Sequence, residues 1–250
     1  MINKLLHKLN QLRHTSSYAT CEKTWDNAQV YEFKASTSFM ESEYFRELMI
    51  RNKKLINEKS YELNMEFFYR EFFDNDSAKL NDFLNKIKGK TCLEIGPSCA
   101  PLLGSWWFSR TNYIIEPLFQ KILLFQKDKF GYSIFDDTVN FSIPAEQFIP
   151  DLCNAIDGAV ICRNCIDHSP KWVFVINNII SYMQYGSYLL IWNDLYHLDG
   201  CDEGHYDIIE EVDDFKRLLT NFGLNIEHEF SYDLSQRNTI NYGCIAKKCR

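Results

Sequence analysis

The chain has 250 residues, 46% of them hydrophobic and 15% aromatic, enough for one α/β domain with an extension and a large core. Its formal net charge of −7 argues against a nucleic-acid backbone as the main partner, while leaving room for a local basic patch. No apolar run approaches the roughly 20 residues of a membrane span. Met1 to Arg13 is amphipathic and basic but lacks the apolar centre of a signal peptide, so the expected location is cytoplasmic. The nine cysteines, from Cys21 to Cys249, are odd in number and several fall in apparent core strands, as reduced thiols of a cytosolic enzyme do.

Residues 1–88 read as a helical extension rich in aromatic and charged residues. Tyr44 to Leu55 and Leu63 to Phe73 carry apolar residues near helical spacing. Phe67, Phe68, Phe72 and Phe73 either cover the mouth of a site or pack the helices onto the main domain; the second reading is preferred.

From Gly89 strands and helices alternate, and residues 89–250 read as one α/β domain. Thr91–Ile95 is the first expected strand, Tyr113–Glu116 the second, Val139–Ile143 the third and Gly158–Cys162 the fourth. The fourth is almost wholly apolar, as a strand buried on both faces must be. Phe119 to Lys129 is an expected helix stopped by Gly131. Trp172, Val175, Ile176, Ile179, Ile180 and Met183 recur at three and four residues, one apolar face of a second helix. Ser187–Trp192 is the fifth strand. Phe215, Leu218, Leu219 and Phe222 mark a last helix stopped by Gly223. Leu224–Phe230 and Thr239–Ala246 pair as a hairpin around Asp233–Asn238.

Four segments carry chemistry. Strand one ends in Glu94-Ile95-Gly96-Pro97-Ser98, an acid followed by a glycine turn. Strand two, about twenty residues on, ends in Glu116. This layout suits a nucleoside-containing cofactor at the carboxyl ends of parallel strands. A turn without a side chain lets backbone N–H groups approach a ligand, and a carboxylate suits a vicinal diol. Third comes Ile143-Pro144-Ala145-Glu146, and fourth Arg163-Asn164-Cys165-Ile166-Asp167-His168.

The first two segments resemble the opening motifs of the class I S-adenosylmethionine-dependent methyltransferases. The fourth is similar to a type 11-like variant in which "N-x-L-D-H" follows strand four. The resemblance covers residues 89–246 and implies a Rossmann-like seven-stranded sheet, its last strand antiparallel, with helices on both faces. It implies S-adenosylmethionine as cofactor. Glu94, Gly96, Pro97 and Ser98 would meet the methionine end, Glu116 the ribose and Ala145 the adenine, with Glu146 ordering the loop that lies along it, and Asn164 would sit beside the reactive methyl group and methionine tail. Ser98 and Ala100 stand where the family has further glycines.

The acceptor implied is a small polar molecule, such as a sugar, methylated on a hydroxyl. His168 is the first candidate base and His205 the second, since an imidazole titrates near neutrality. Asp167 and His168 equally fit a structural pair ahead of a helix opening near Ser169-Pro170. Asn193 to Tyr206 reads as a long polar loop, with His197 solvated. Cys162-x-x-Cys165-x-x-His168 has metal-ligand residue types. Cys162 lies in a buried strand where side chains alternate, however, so no metal or redox role is assigned. The oligomeric state is left open. Two other readings remain: a methyltransferase-fold scaffold without turnover, and a nicotinamide-dependent oxidoreductase, which would need a G-x-G-x-x-G turn that residues 96–101 do not supply.

Overall fold

The structure, a computed structural model, describes residues 18–58, 70, 72–103, 109–198, 205–230 and 239–249. Phe67 and Phe68, most of the helix expected from Leu63, Cys201 and the Asp233–Asn238 turn lie outside the described residues. Three helices come first: α1 (Tyr18–Glu41), α2 (Glu43–Glu58) and α3 (Ser77–Ile87). There follow β1 (Thr91–Ile95), β2 (Thr111–Ile115), α4 (Phe119–Phe130), β3 (Val139–Phe141), β4 (Ala159–Arg163), α5 (Trp172–Tyr182), β5 (Tyr188–His197), α6 (Val212–Asn221), β6 (Leu224–Phe230) and β7 (Thr239–Lys248).

The seven strands form one sheet in the order β3-β2-β1-β4-β5-β7-β6. β1 to β5 pair in parallel, and β7 runs antiparallel to both β5 and β6. Alternate side chains of the central strands feed two cores, as the two-residue period of a strand requires. Leu93, Val160, Cys162, Leu189 and Ile191 face α5 and α6. Cys92, Ala159, Ile161, Tyr188 and Leu190 face α3 and the Phe72–Phe73 segment. A third cluster joins Met40, Phe45, Leu48 and Met49 of α1 and α2 to Ile114 of β2 and Phe119 and Ile122 of α4. Phe72 and Phe73 therefore pack the helices onto the sheet, the preferred expectation.

Gly131 ends α4 with φ +78, and its N–H donates to the Lys127 carbonyl at 2.9 Å. β1 and β6 have the expected limits, and the limits of the other strands, the end of β5 apart, lie within two residues of expectation. Asn193–His197 differs in kind: it belongs to β5, not to a loop. β7 supplies its partners, from Asn193 opposite Tyr242 to His197 opposite Thr239, across a bulge between Asp194 and Tyr196. Among the described residues no helix is long and apolar enough to cross a membrane.

Candidate active site

Strand order reverses between β1 and β4, and in an open parallel sheet the crevice outside the strand ends at such a point receives ligands. Gly96 opens the turn after β1 with φ +62, and its N–H donates to the Ile115 carbonyl at 2.9 Å. A Cβ on Gly96 would stand 2.4 Å from Cys165 Cβ, so both conformation and space require glycine there. Ser98 follows with φ +52, held by a 2.6 Å hydrogen bond between its hydroxyl and that of Ser36 on α1.

Glu116 lies just past β2 and is 4% exposed. Its Oε2 accepts from the Ser98 N–H and its Oε1 from the Leu118 N–H, each at 2.9 Å. Burial pushes its carboxyl up to about 7 against the pull of these two N–H donors. Glu94 is also buried and also raised to about 7 by burial, while the Leu103 N–H at 2.8 Å and the Arg163 charge oppose the shift.

Two adjoining cavities open at these strand ends. The narrower, about 100 Å³, is walled by Gly96, Ser98, Glu116, Ala145, Glu146, Asn164 and His168, with Gln29 and Glu32 contributed by α1. The wider, about 670 Å³, is walled by Pro97, Arg163, Trp192, Asp194, His197, His205 and Thr239. Glu32, Gly96, Ser98, Asn164 and His168 belong to both walls. Nine of the ten expected site residues thus line a cavity. Glu94 lines neither; its Oε2 accepts from the Leu103 N–H beyond the turn.

Ala145 is fixed through its carbonyl, which accepts from Asn178 of α5 at 2.8 Å. Asn164 has φ +46, a strain of the kind that collects at functional sites, and its N–H donates to the Trp192 carbonyl at 2.6 Å. Asn164 Oδ1 and Glu146 Oε2 are buried without a hydrogen-bond partner among the described residues. Asn193 Oδ1 holds the loop after β4 by accepting from the Cys165 and Ile166 N–H groups at 2.8 and 3.0 Å.

The His168 and His205 rings lie 4.3 Å apart, and His168 Nδ1 is 3.5 Å from Glu32 Oε1. The helix that follows starts at Trp172, slightly later than expected. His197, expected to be solvated, is 12% exposed in its side chain, because β5 carries it into the wall. Cys162 and Cys165 bring their sulfurs to 3.0 Å, since β4 ends at Arg163 and the chain turns before Cys165. Both are free thiols. The Cys165 thiol is held well above its ordinary range by the hydrogen bond with Cys162 and by burial.

The α1 contribution escaped the sequence reading. Gln29, Glu32 and Ser36 recur at three and four residues and form one polar helical stripe, the signal that was there to be found.

No family model matches this chain, and no curated protein matches it by sequence. Solved structures do match. A candidate methyltransferase of Bacillus halodurans is similar over 70% of this chain and 100% of its own, at 14% identity and a TM-score of 0.51. A candidate sarcosine dimethylglycine methyltransferase of Galdieria sulphuraria is similar over 69% and 82%, at 13% identity and a TM-score of 0.51. The complex of the Haloferax volcanii Trm112 methyltransferase activator with a candidate methyltransferase matches over 75% and 95%, at 8% identity and a TM-score of 0.50. With its strand order and its single antiparallel β7, the chain has the Rossmann-like fold of the class I methyltransferases.

Proposed function

We propose that this chain is an S-adenosylmethionine-dependent methyltransferase acting on a hydroxyl of a small polar acceptor such as a sugar. Glu116 carries the reading: a buried carboxylate in a cavity wall, at the end of β2, braced by two backbone N–H groups. Each of its oxygens keeps a second lone pair, which suits the two ribose hydroxyls. The unpartnered Glu146 Oε2 and Asn164 Oδ1 suit the adenine amine and the methionine ammonium respectively. When bound, the cofactor supplies an electrophilic sulfonium methyl.

The chain's own work is then alignment and proton removal. Gly96, Pro97 and Ser98 bring backbone close to the ligand, and Ala145 lies along the ring. His168, at the wall shared by both cavities, takes the acceptor's hydroxyl proton, and Glu32 at 3.5 Å steadies the charge the ring gains. His205, whose ring lies 4.3 Å from that of His168, is the second candidate base. Residues 1–88 act as a cap, since α1 adds Gln29 and Glu32 to the cofactor wall.

The test is calorimetric titration with S-adenosylmethionine and S-adenosylhomocysteine. Micromolar binding that falls at least tenfold in Glu116→Ala, about 1.4 kcal/mol, is expected. Absence of binding by the intact protein would sink the reading and favour a methyltransferase-fold scaffold.

A further inference from the structure

The wider cavity holds more chemistry than methyl transfer uses. Asp167, Asp194 and His197 offer two carboxylate oxygens and an imidazole nitrogen that all lie within 4.8 Å of one another. We infer that these three side chains form a binding site for one divalent cation of the Mn²⁺ type at the wall of the wider cavity.

The backbone is bent to make this set. Residues three apart on a regular strand face opposite ways. Asp194 and His197 nevertheless both line the wider cavity, because the bulge between Asp194 and Tyr196 inserts Leu195 as an unpaired residue and turns it into the core. Asp167 comes from the loop after β4, which Asn193 pins by two hydrogen bonds and which receives the Tyr206 N–H at the Asp167 carbonyl, 2.7 Å. Asp167 is 0% exposed and Asp194 3%, so packing fixes both.

The surrounding groups match what metal ligands need. A ligating histidine commonly gives its second ring nitrogen to a carboxylate, which sets the ring's orientation. His197 Nδ1 lies 3.2 Å from Asp207 Oδ1, and the same oxygen accepts the His197 backbone N–H at 2.9 Å. With Nδ1 turned to Asp207, Nε2 is the nitrogen that would ligate the metal. Asp194 Oδ1 accepts from Thr239 Oγ1 at 3.1 Å. Two carboxylates with one imidazole suit Mn²⁺, and Zn²⁺ after it, rather than a soft ion. The Cys/His set considered from the sequence is not involved. His168 and His205 also converge with Asp167, but they are the proposed base and its neighbour. The metal site does not depend on methyl transfer. Only one consequence rests on that reading: open coordination positions facing the cavity would bind the acceptor's hydroxyl oxygen and lower its pKa.

The experiment uses the full chain, stripped with a chelator and titrated with Mn²⁺ while the paramagnetic signal of the free ion is followed. One saturating Mn²⁺ per chain, competed by Zn²⁺, is expected. Asp194→Asn and His197→Gln should each weaken binding at least about tenfold. His228→Ala, whose ring pairs with Asp74 on β6's side of the fold, should leave it unchanged. Urea unfolding of each metal-free variant confirms that it is folded. No saturable binding of either ion overturns the inference. So does unchanged affinity in both site variants, or a loss confined to His168→Ala. S-adenosylhomocysteine is absent from this titration, so failure of the methyl-transfer reading registers separately.

Discussion

Glu94 and Glu116 end adjacent strands, and both carboxyls stand at about 7 because burial penalises their charge. A carboxyl raised from its ordinary 4.5 keeps its proton longer in the folded chain than in the unfolded one. Between those values the folded state therefore binds more protons, and stability falls as pH rises from about 4.5 to about 7. Each group is worth up to ~3 kcal/mol across that window. Urea titrations at pH 5 and 7 should show the fall, and Glu94→Gln should lessen it. At Glu116 the same shift has a functional side. The ionised form is the better acceptor for a ribose diol, so S-adenosylhomocysteine should bind more tightly as pH rises through about 7. Gly96 is the other residue whose role is decided locally. Gly96→Ala should cost about 2–4 kcal/mol in denaturant unfolding, from the left-handed backbone and the clash with Cys165. Cys165→Ala should give no relief, since the clash is with its Cβ. The two acids look alike in the sequence, each closing an apolar run. Only the structure separates them, because the Leu103 N–H that takes up Glu94 comes from the loop beyond the turn.

Strand β5 shows how an element can hide. Asn193-Asp194-Leu195-Tyr196-His197 has the composition of a loop, yet it continues β5 by five residues because β7 lies alongside it. Polar side chains are stable there for two reasons. Asp194 and His197 line a cavity rather than the apolar core, and Asn193 satisfies two N–H groups of the neighbouring loop. Asn193→Ala leaves those donors unpaired in a buried place. It should lower unfolding free energy by about 2 kcal/mol and loosen the Asn164–His168 segment, readable as faster amide exchange at Cys165 and Ile166. By contrast α5 was plain in the sequence. Trp172, Val175, Ile176 and Ile179 repeat at three and four residues because one face of the helix is covered by the sheet. Periodicity reports a face that meets apolar neighbours; it is silent about a polar strand whose partners, such as Tyr242 opposite Asn193 and Thr239 opposite His197, arrive from far along the chain.

Across the whole molecule, α1 and α2 share a core with the sheet. Phe45 is 0% exposed, with Phe39 edge-on at 5.3 Å and Phe130 tilted at 5.9 Å. Phe45→Ala should cost about 3–4 kcal/mol. If the helices and sheet fold as one unit, that loss appears in a single transition, with far-ultraviolet dichroism and tryptophan fluorescence coincident. The alternation of strands and helices, the Gly96 turn, Glu116 and the residues of α5 were all legible in the sequence, because each is set by neighbours a few positions away. The apolar runs follow from burial on both faces, the turn from backbone sterics, and the helix from its repeat. The grouping of Asp167, Asp194 and His197, the approach of Cys162 to Cys165, and the entry of Glu32 beside His168 were not. Those depend on where a bulge falls, where a strand ends and which helix crosses the cleft. Pairing between distant strands and packing between distant helices decide such things; the Gln29, Glu32 and Ser36 stripe marks a polar face of a helix, but not what that face meets.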